Sequence, residues 1–379
     1  MWNPCLAQLP RHLADHELVR AAWEGLDAGN VWDSHAHLVG TGDSSSGIYV
    51  NPRTESLLNP GEYARRLFFL NAGCVHEEKK GSVDRAYVER MHNLAEGMRK
   101  GFKLVLFAFE RAFDDGGQPD LPHSMFYVPD AYTRDTAKKH ARYFEWAASV
   151  HPYRGDALDA LDAARKDGAV AVKWLPSAMN IDPASKRCDA FYDFLSKNNI
   201  PLIVHAGEER AVTGSEKHEF GNPLRLRRAL DAGVRVVVAH CASMGEDRDL
   251  DKGEQGPYVD SFSLFVRVFE KYGKNCYGDI SAMTQRNRAG PALARVVERA
   301  DWHARLLNGS DYPLPGLMPV FSVDYLVSLK LLPESAAPVL KEIRLHNPLL
   351  FDFVVKRSLR SNGKALSAGV FETRRFFMR

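Results

Sequence analysis

The chain has 379 residues, 45% of them hydrophobic, and its 50 Lys and Arg residues nearly balance 48 Asp and Glu residues. This composition supplies a large buried core, and a near-neutral charge without a basic stripe argues against a nucleic-acid partner. No apolar run is long enough to span a bilayer, and the N-terminus lacks the basic start and apolar stretch of a signal peptide. The five Cys residues form no CxxC pair, which argues against a disulfide framework and a Cys-based zinc site. We therefore expect a cytoplasmic globular protein without a membrane partner.

Short runs rich in Val, Ile and Leu alternate along the chain with helical patterns. In chain order, the predicted strands are Val31–His37, Phe102–Phe109, Tyr143–Val150, Ala169–Trp174, Pro201–His205, Val234–His240, Asn275–Ile280 and Arg305–Asp311. The predicted helices include Arg85–Lys100, Ala157–Lys166, Ala184–Lys197, Pro223–Asp231, Ser261–Tyr272 and Pro291–Ala300. Apolar strands that alternate with helices indicate a parallel sheet covered on both faces. Eight such units predict an α/β fold that closes into a (β/α)₈ TIM barrel.

The same pattern predicts one catalytic domain with a short extension at each end. Residues 31–356 form the predicted barrel, residues 1–30 a helical lead-in, and residues 357–379 a C-terminal helical tail with six Lys or Arg residues. The longest irregular stretches follow strands, whereas the segments that lead into strands are mostly brief. Barrel enzymes build their sites from the loops after the strands, so this asymmetry is typical of a catalytic barrel. A doubly wound sheet would show it as well.

The first predicted strand ends in the triplet His35-Ala-His37. Residues i and i+2 of a strand point to the same side, so the two imidazoles can bind one metal ion. The triplet alone is weak, but His205 and His240 each end an apolar run, and Asp311 closes the eighth. In a barrel, the C-terminal ends of all strands open into one mouth. Imidazole and carboxylate ligands without Cys predict a divalent ion, most simply Zn²⁺, with Mn²⁺, Fe²⁺ or Co²⁺ as alternatives.

Lys173 lies at the end of the fourth predicted strand. An ammonium that points into an apolar barrel is costly unless it is paired or neutralised. One interpretation is a lysine that extends to the rim of the barrel. The other is a carbamate, formed when CO₂ adds to the amine, whose two oxygens would bridge two metal ions. The sequence leaves both open.

In its combination of motifs, the chain resembles the amidohydrolase superfamily, whose pattern is matched in order by Asp33-Ser-His35-Ala-His37, Lys173, His205, His240 and Asn308-Gly-Ser-Asp311-Tyr-Pro313. The runs Ser149-Val-His151-Pro152 and His346-Asn347-Pro348 are similar to its amidohydrolase-2 branch. The resemblance covers about residues 30–356. It implies a metal-activated water that attacks an amide, ester, lactone or related electrophile, although some members of the branch decarboxylate or cleave C–C bonds.

Further residues are expected to support this metal site or to bind substrate. Asp33 precedes the triplet by two residues and is expected to orient an imidazole. His151 ends the third predicted strand, where a structural role is the alternative to a supporting one. Arg210 follows the fifth strand and could hold a substrate anion, and Trp174 could line the pocket. Cys241 is expected to point away from the barrel axis into the core.

The leading hypothesis is a hydrolase that uses a metal-bound hydroxide on a small molecule, with Asp311 as both a ligand and the catalytic proton shuttle. His35, His37 and Asp311 would hold one ion and His205 and His240 a second, with Lys173 between them. A metal-dependent decarboxylase or C–C bond hydrolase is the nearest alternative. Near-neutral charge argues against a TatD-like nuclease, and the intact ligand set argues against a non-catalytic barrel. The substrate, the number of metal ions and a homo-oligomeric state stay open.

Overall fold

Eight parallel strands form the centre of the computed structural model, which describes residues 3–75, 82–212, 217–318 and 320–378. The strands are β1 (Trp32–His37), β2 (Lys103–Phe107), β3 (Phe144–Ala147), β4 (Val172–Trp174), β5 (Leu202–His205), β6 (Val236–Ala239), β7 (Cys276–Asp279) and β8 (Leu306–Leu307). They form two sheets, β1-β2-β3 and β4-β5-β6-β7-β8. Each strand lies within one of the eight predicted runs.

Isolated parallel bridges join the two sheets at both seams. Ala148 pairs with Val172 between β3 and β4, and Ala36 pairs with Tyr312 between β1 and the segment after β8. Backbone hydrogen bonds of 2.7 Å and 2.9 Å cross these two seams. The strands therefore lie in a ring, and the predicted TIM barrel is confirmed.

Helices pack around this ring. They are α1 (Arg11–Ala14), α2 (Glu17–Trp23), α3 (Pro60–Ala72), α4 (Val83–Glu96), α5 (Asp130–Lys139), α6 (Ala157–Lys166), α7 (Pro176–Met179), α8 (Asp189–Lys197), α9 (Arg227–Asp231), α10 (Ser261–Tyr272), α11 (Pro291–Glu298), α12 (Val323–Ser328), α13 (Ala337–His346), α14 (Pro348–Ser358), α15 (Ala368–Phe371) and α16 (Arg374–Phe377). The bounds predicted for α6 and α10 are those observed. Among the described residues, no helix is both long and apolar enough to cross a membrane.

The inside of the barrel is filled by inward-pointing side chains, and the C-terminal tail closes it at one end. The inner cluster consists of Trp32, Val105, Phe107, Ala147, Ala171, Ile203, Val237, Tyr277, Leu307, Phe376 and Phe377. Phe376 lies edge-on to Tyr277, with ring centroids 4.7 Å apart, and Phe377 stacks on Trp32 at 6.1 Å. The tail was predicted from its basic residues, but its two buried aromatic rings attach it to the N-terminal end of the barrel.

The cysteines differ from the expectation in one respect. Cys5 and Cys74 form a disulfide bond, with their Cα atoms 5.5 Å apart. The two cysteines are 69 residues apart in the sequence, and this spacing does not predict a disulfide bond. They meet only because the N-terminal segment folds back onto the end of α3. Asn3 anchors that segment there, since its backbone N–H donates to Asn71 Oδ1 at 3.1 Å. Cys241 is buried in the core, as predicted.

Candidate metal centre

The predicted metal ligands meet at the C-terminal mouth of the barrel. His35 and His37 lie on β1, His205 ends β5, and His240 and Asp311 follow β6 and β8. The ring centroids of His35 and His240 are 5.0 Å apart, and those of His205 and His240 are 5.3 Å apart. Residues separated by up to 276 positions therefore share one small volume, as the barrel topology requires.

Three donor atoms form a nearly equilateral triangle. His35 Nε2 lies 3.3 Å from His37 Nε2, and Asp311 Oδ1 lies 3.4 Å and 3.1 Å from these two nitrogens. Ligand atoms bound at about 2.0–2.1 Å to a tetrahedral Zn²⁺ are about 3.3 Å apart. The spacing and chemistry of this triangle therefore fit a divalent metal ion.

The imidazole of His205 has a buried nitrogen, Nε2, that forms no hydrogen bond with any of the described residues. Glu209 Oε2 is 3.3 Å away, but its direction is not that of a hydrogen bond. His240 Nε2 is 3.8 Å from Asp311 Oδ2. Since a buried polar atom is costly without a partner, this orphaned nitrogen also fits a metal ligand.

Asp279 and Ser281 fix the orientation of two of these imidazoles. The Asp279 carboxylate accepts hydrogen bonds from His35 Nδ1 at 2.9 Å and from the backbone N–H of His240 at 2.9 Å. The Ser281 carbonyl accepts from His240 Nδ1, also at 2.9 Å. Because Nδ1 carries the proton in both rings, the Nε2 lone pairs face the site. Sequence reasoning missed Asp279, although a carboxylate at the end of the β7 run is a signal of the same kind as Asp311.

Burial keeps three of the imidazoles, those of His35, His205 and His240, in the neutral form that binds metal. It lowers the pKa of His35 and of His205 to about 4, and it holds the pKa of His240 well below its usual range. Burial acts in the opposite direction on Asp311, but the neighbouring imidazoles outweigh it, so this pKa lies well below its usual value. At neutral pH the site therefore presents these three neutral imidazoles and an ionised carboxylate.

Lys173 points into the barrel rather than to its rim. The residue is 1% exposed, and its Nζ lies 3.4 Å from His35 Nε2 and 5.0 Å from the ring centre of Phe107. Burial lowers the pKa of the amine to about 8. This position rules out the interpretation as a rim lysine and brings the amine next to the predicted ligands.

Two residues expected to support the site point away from it. A register shift on β1 between Asp33 and Ala36 breaks the alternation of sides. Asp33 Oδ1 therefore accepts from the backbone N–H groups of His35 and Ser310, at 3.1 Å and 2.8 Å, and contacts no imidazole. Trp174 follows the inward Lys173, so it faces outward. It donates to the Val150 carbonyl at 2.8 Å and is fully buried in the core.

The other two expected residues also have partners of their own. His151 Nε2 donates to the Met179 carbonyl at 2.8 Å, and its Nδ1 accepts from the Tyr153 N–H at 3.1 Å. Neither ring nitrogen is left for a substrate. Arg210 lies at the edge of the cavity, where its guanidinium pairs with Glu208 at 2.7 Å. Its side chain is 64% exposed.

The backbone near the ligands is conformationally unusual. Asp311 has φ 61° and His240 has φ 55°, in the left-handed region that costs non-glycine residues about 1–3 kcal/mol. Gly309 brings β8 against β1, since a Cβ on it would lie 2.6 Å from the Cβ of His35. The turn that aims Asp311 at the triplet therefore requires glycine at this position.

A cavity of about 430 Å³ opens above the ligands. Its walls are mostly apolar and come from α3 and from the loops after β1, β2, β4, β5, β6, β7 and β8. The apolar wall includes Ile48, Phe68, Phe69, Phe109, Met125, Phe126, Val128, Leu175, Leu314 and Leu317. Polar groups on the loop after β7, which the sequence did not single out, also line it, namely Gln285, Asn287 and Arg288. The arrangement suits a small organic molecule held above a metal ion.

Comparisons with known proteins agree with this architecture. The family model described as amidohydrolase matches residues 32–347. No protein of curated function matches the sequence significantly.

Among solved structures, an uncharacterised TIM-barrel protein from Bordetella bronchiseptica is 16% identical, with a TM-score of 0.51 over 86% of this chain and 99% of that one. A putative 2-pyrone-4,6-dicarboxylic acid hydrolase from Pseudomonas putida is 15% identical, with a TM-score of 0.45 over 85% and 97%. The IDCase of Metarhizium anisopliae is 12% identical, with a TM-score of 0.47 over 94% and 98%. At 16% identity, the similarity to the Bordetella bronchiseptica protein bears on the fold alone.

Asp279→Asn tests the support of the imidazoles. The variant keeps the shape of the side chain but loses the charge that holds His35 and the backbone of His240. We expect affinity for Zn²⁺ to fall by about 10- to 100-fold, measured by competition with a chromogenic chelator. Asp301→Asn is the control, because that carboxylate is 62% exposed and pairs with Arg299 away from the site. Equal affinities in the two variants would contradict the assignment.

His151→Asn tests the structural role of His151. Burial lowers its pKa from 6.5 to about 3, so the unfolded chain takes up a proton in mild acid that the folded protein cannot accept. His151 therefore destabilises the fold as the pH falls below 6.5. We expect the stability advantage of the wild type over the variant to shrink by about 2 kcal/mol between pH 7 and pH 5. Urea unfolding with chelator present measures it, and a constant difference would refute this role.

Proposed function

The chain belongs to the amidohydrolase family, and from this premise we propose that it is a metal-dependent hydrolase of a small organic molecule. The observation that carries the proposal is the triangle of His35, His37 and Asp311 donor atoms, 3.1–3.4 Å apart, at the base of a cavity of about 430 Å³. A bound divalent ion would polarise the scissile group and lower the pKa of a water molecule from about 16 to about 7. Zn²⁺ suits this donor set best.

Asp311 has the geometry of a ligand that also moves a proton. Its Oδ1 faces His35 and His37, whereas its Oδ2 faces His240 at 3.8 Å. With one oxygen used as a ligand, the other accepts the proton of the attacking water. The same oxygen then delivers that proton to the leaving group. The low pKa of the carboxyl keeps it ionised before the attack.

We also propose that His205 and His240 hold a second ion and that Lys173 bridges the two sites as a carbamate. Two observations support this. His205 Nε2 is buried and has no hydrogen-bond partner within the described part of the chain, and the Lys173 amine lies 3.4 Å from His35 Nε2. An ammonium at that distance would repel a cation bound to His35. A carbamate would replace this positive charge with two anionic oxygens.

The proposed hydrolase can be separated from a decarboxylase by isotope labelling. Metal-loaded and chelated protein are assayed against aryl esters, anilides and aromatic lactones in oxygen-18-labelled water. We expect turnover by the metal-loaded protein only, with one labelled oxygen in the carboxylic acid that is formed and none in the released alcohol or amine. Release of CO₂ from carboxylated substrates without incorporation of label would favour the decarboxylase instead.

Asp311→Asn tests the proton shuttle on any substrate that the wild type hydrolyses. We expect kcat to fall by about 10²- to 10⁴-fold, with a smaller change in KM, because Asn keeps the shape but cannot take the proton. Metal content is measured on the same preparation, so that loss of the ion is distinguished from loss of the base. A variant that retains its metal and more than about a tenth of wild-type kcat would rule out the shuttle.

Metal counting tests the carbamate. Wild-type protein purified in bicarbonate buffer should carry close to two equivalents of metal, and Lys173→Ala should lose at least one. Elemental analysis measures both, and a crystal structure shows whether the amine is modified. Saturation of the wild type at one ion, with Lys173 unmodified in the density, would disprove the two-ion site and leave the one-ion hydrolase standing.

A further inference from the structure

One cationic side chain of the cavity has two buried nitrogens that find no hydrogen-bond partner among the described residues. Arg288 lies on the loop between β7 and α11, lines the cavity, and is 7% exposed. Its Nε and Nη1 atoms are buried, and within the described ranges neither has a hydrogen-bond partner. A buried charged donor left in this state is more costly than a neutral one. The arrangement is therefore expected where a ligand supplies the acceptor.

The nearest carboxylate is engaged elsewhere. Glu209 contributes to the electrostatic environment of Arg288, but its Oε1 accepts from the backbone N–H groups of Ala211 and Val212. Its Oε2 faces His205 at 3.3 Å. Asp311 and Asp279 are similarly engaged with the imidazoles described above. The protein thus brings carboxylates close to Arg288 without pairing one with it.

The other arginines of the cavity are paired. Arg65 contacts Glu62 at 2.8 Å, Arg66 contacts Glu55 at 3.1 Å, and Arg210 contacts Glu208 at 2.7 Å. A phosphate dianion is usually bound by several donors, whereas a carboxylate needs only one guanidinium. A single available guanidinium therefore fits a singly charged carboxylate.

The rest of the cavity is suited to an apolar body. Phe109 and Phe126 stack with ring centroids 4.1 Å apart and planes 26° apart, and both line the cavity with Leu175 and Phe69. A flat aromatic or similarly apolar group would gain the most from such walls. Together with Arg288, they define a site for a molecule with an anionic end and an apolar middle.

We propose that Arg288 is the residue that selects the substrate. It would bind the carboxylate of an acid whose apolar body packs against the aromatic side chains of the apolar wall. This inference rests on the proposed hydrolase, for which it names the substrate class. The carboxylate at Arg288 acts as an anchor, and the bond that is hydrolysed lies elsewhere in the molecule, above the metal ligands. Arg288 would thus fix the orientation of the reacting group.

Calorimetric binding of two matched probes tests this assignment. The probes are 2-naphthoate and its neutral isostere 2-naphthamide, titrated into the metal-loaded full chain. The measured quantity is the preference, defined as the dissociation constant of the amide divided by that of the acid. We expect Arg288→Gln to reduce the preference by about 10- to 100-fold, because charge-assisted hydrogen bonds are lost. Arg288→Lys should lose part of it, since an ammonium keeps the charge but not the planar fork.

Arg210→Gln is the matched control, because it removes a paired arginine from the edge of the same cavity. We expect its preference to stay within about threefold of wild type. A preference unchanged in both Arg288 variants would overturn the proposal, as would a wild type that binds naphthoate no better than naphthamide. If Arg288→Gln does not fold, as judged by near-ultraviolet circular dichroism, Arg288→Lys decides by the same criterion.

Repeating the titrations in chelated protein separates this inference from the proposed function. An Arg288-dependent preference that persists without metal supports the anchor even if labelled water shows no hydrolysis. Conversely, metal-dependent hydrolysis of neutral and anionic substrates alike, with no effect of Arg288, refutes the anchor and leaves the hydrolase intact.

Discussion

The buried carboxylate of Asp279 holds the side chains of the candidate metal centre in one arrangement. Asp279 lies at the end of β7. Its carboxylate accepts a hydrogen bond from Nδ1 of His35 on β1 and another from the backbone N–H of His240, just after β6. Three strands of the barrel are thus joined by a group that is fully buried. An uncompensated carboxylate in that position would be very costly, so the hydrogen bonds that satisfy it also fix the imidazoles. The orientation of the ligands is in this sense a consequence of satisfying one buried charge.

The environment of these residues determines which of the polar groups are charged. Burial keeps the imidazoles of His35, His205 and His240 neutral and therefore able to bind a cation, whereas Asp311 remains ionised beside them. Lys173 and Arg288 are cations buried in the same region, at 1% and 7% exposure. Each is stable there only with a compensating group, which we propose is a carbamate for Lys173 and a substrate anion for Arg288. The two proposals thus follow from one physical requirement, namely that a buried positive charge needs a compensating negative group.

The sequence predicted the fold well because a barrel repeats one local pattern. Each of the eight apolar runs contains a strand, and α6 and α10 have the bounds that periodicity indicated. The ligand positions were accessible for the same reason, since each lies at or just after the end of a strand, where the topology leads to one mouth. Successive side chains of a strand point to opposite sides, so an inward Lys173 requires an outward Trp174. The sequence therefore already argued against Trp174 as a pocket residue.

What the sequence determined by itself was the set of strands and the side chains at their ends, because both depend on neighbouring residues in the chain. Only the tertiary structure decided which distant groups meet. The register shift on β1 turned Asp33 away from the imidazoles, and the return of the tail placed Phe376 and Phe377 beneath the barrel. Asp279 and Arg288 acquired their roles from partners, or from the lack of partners, on other strands and loops. The position of Asp279 at a strand end was visible in the sequence, but its contacts and those of Arg288 were not, because they are set by the three-dimensional packing of segments that lie far apart in sequence.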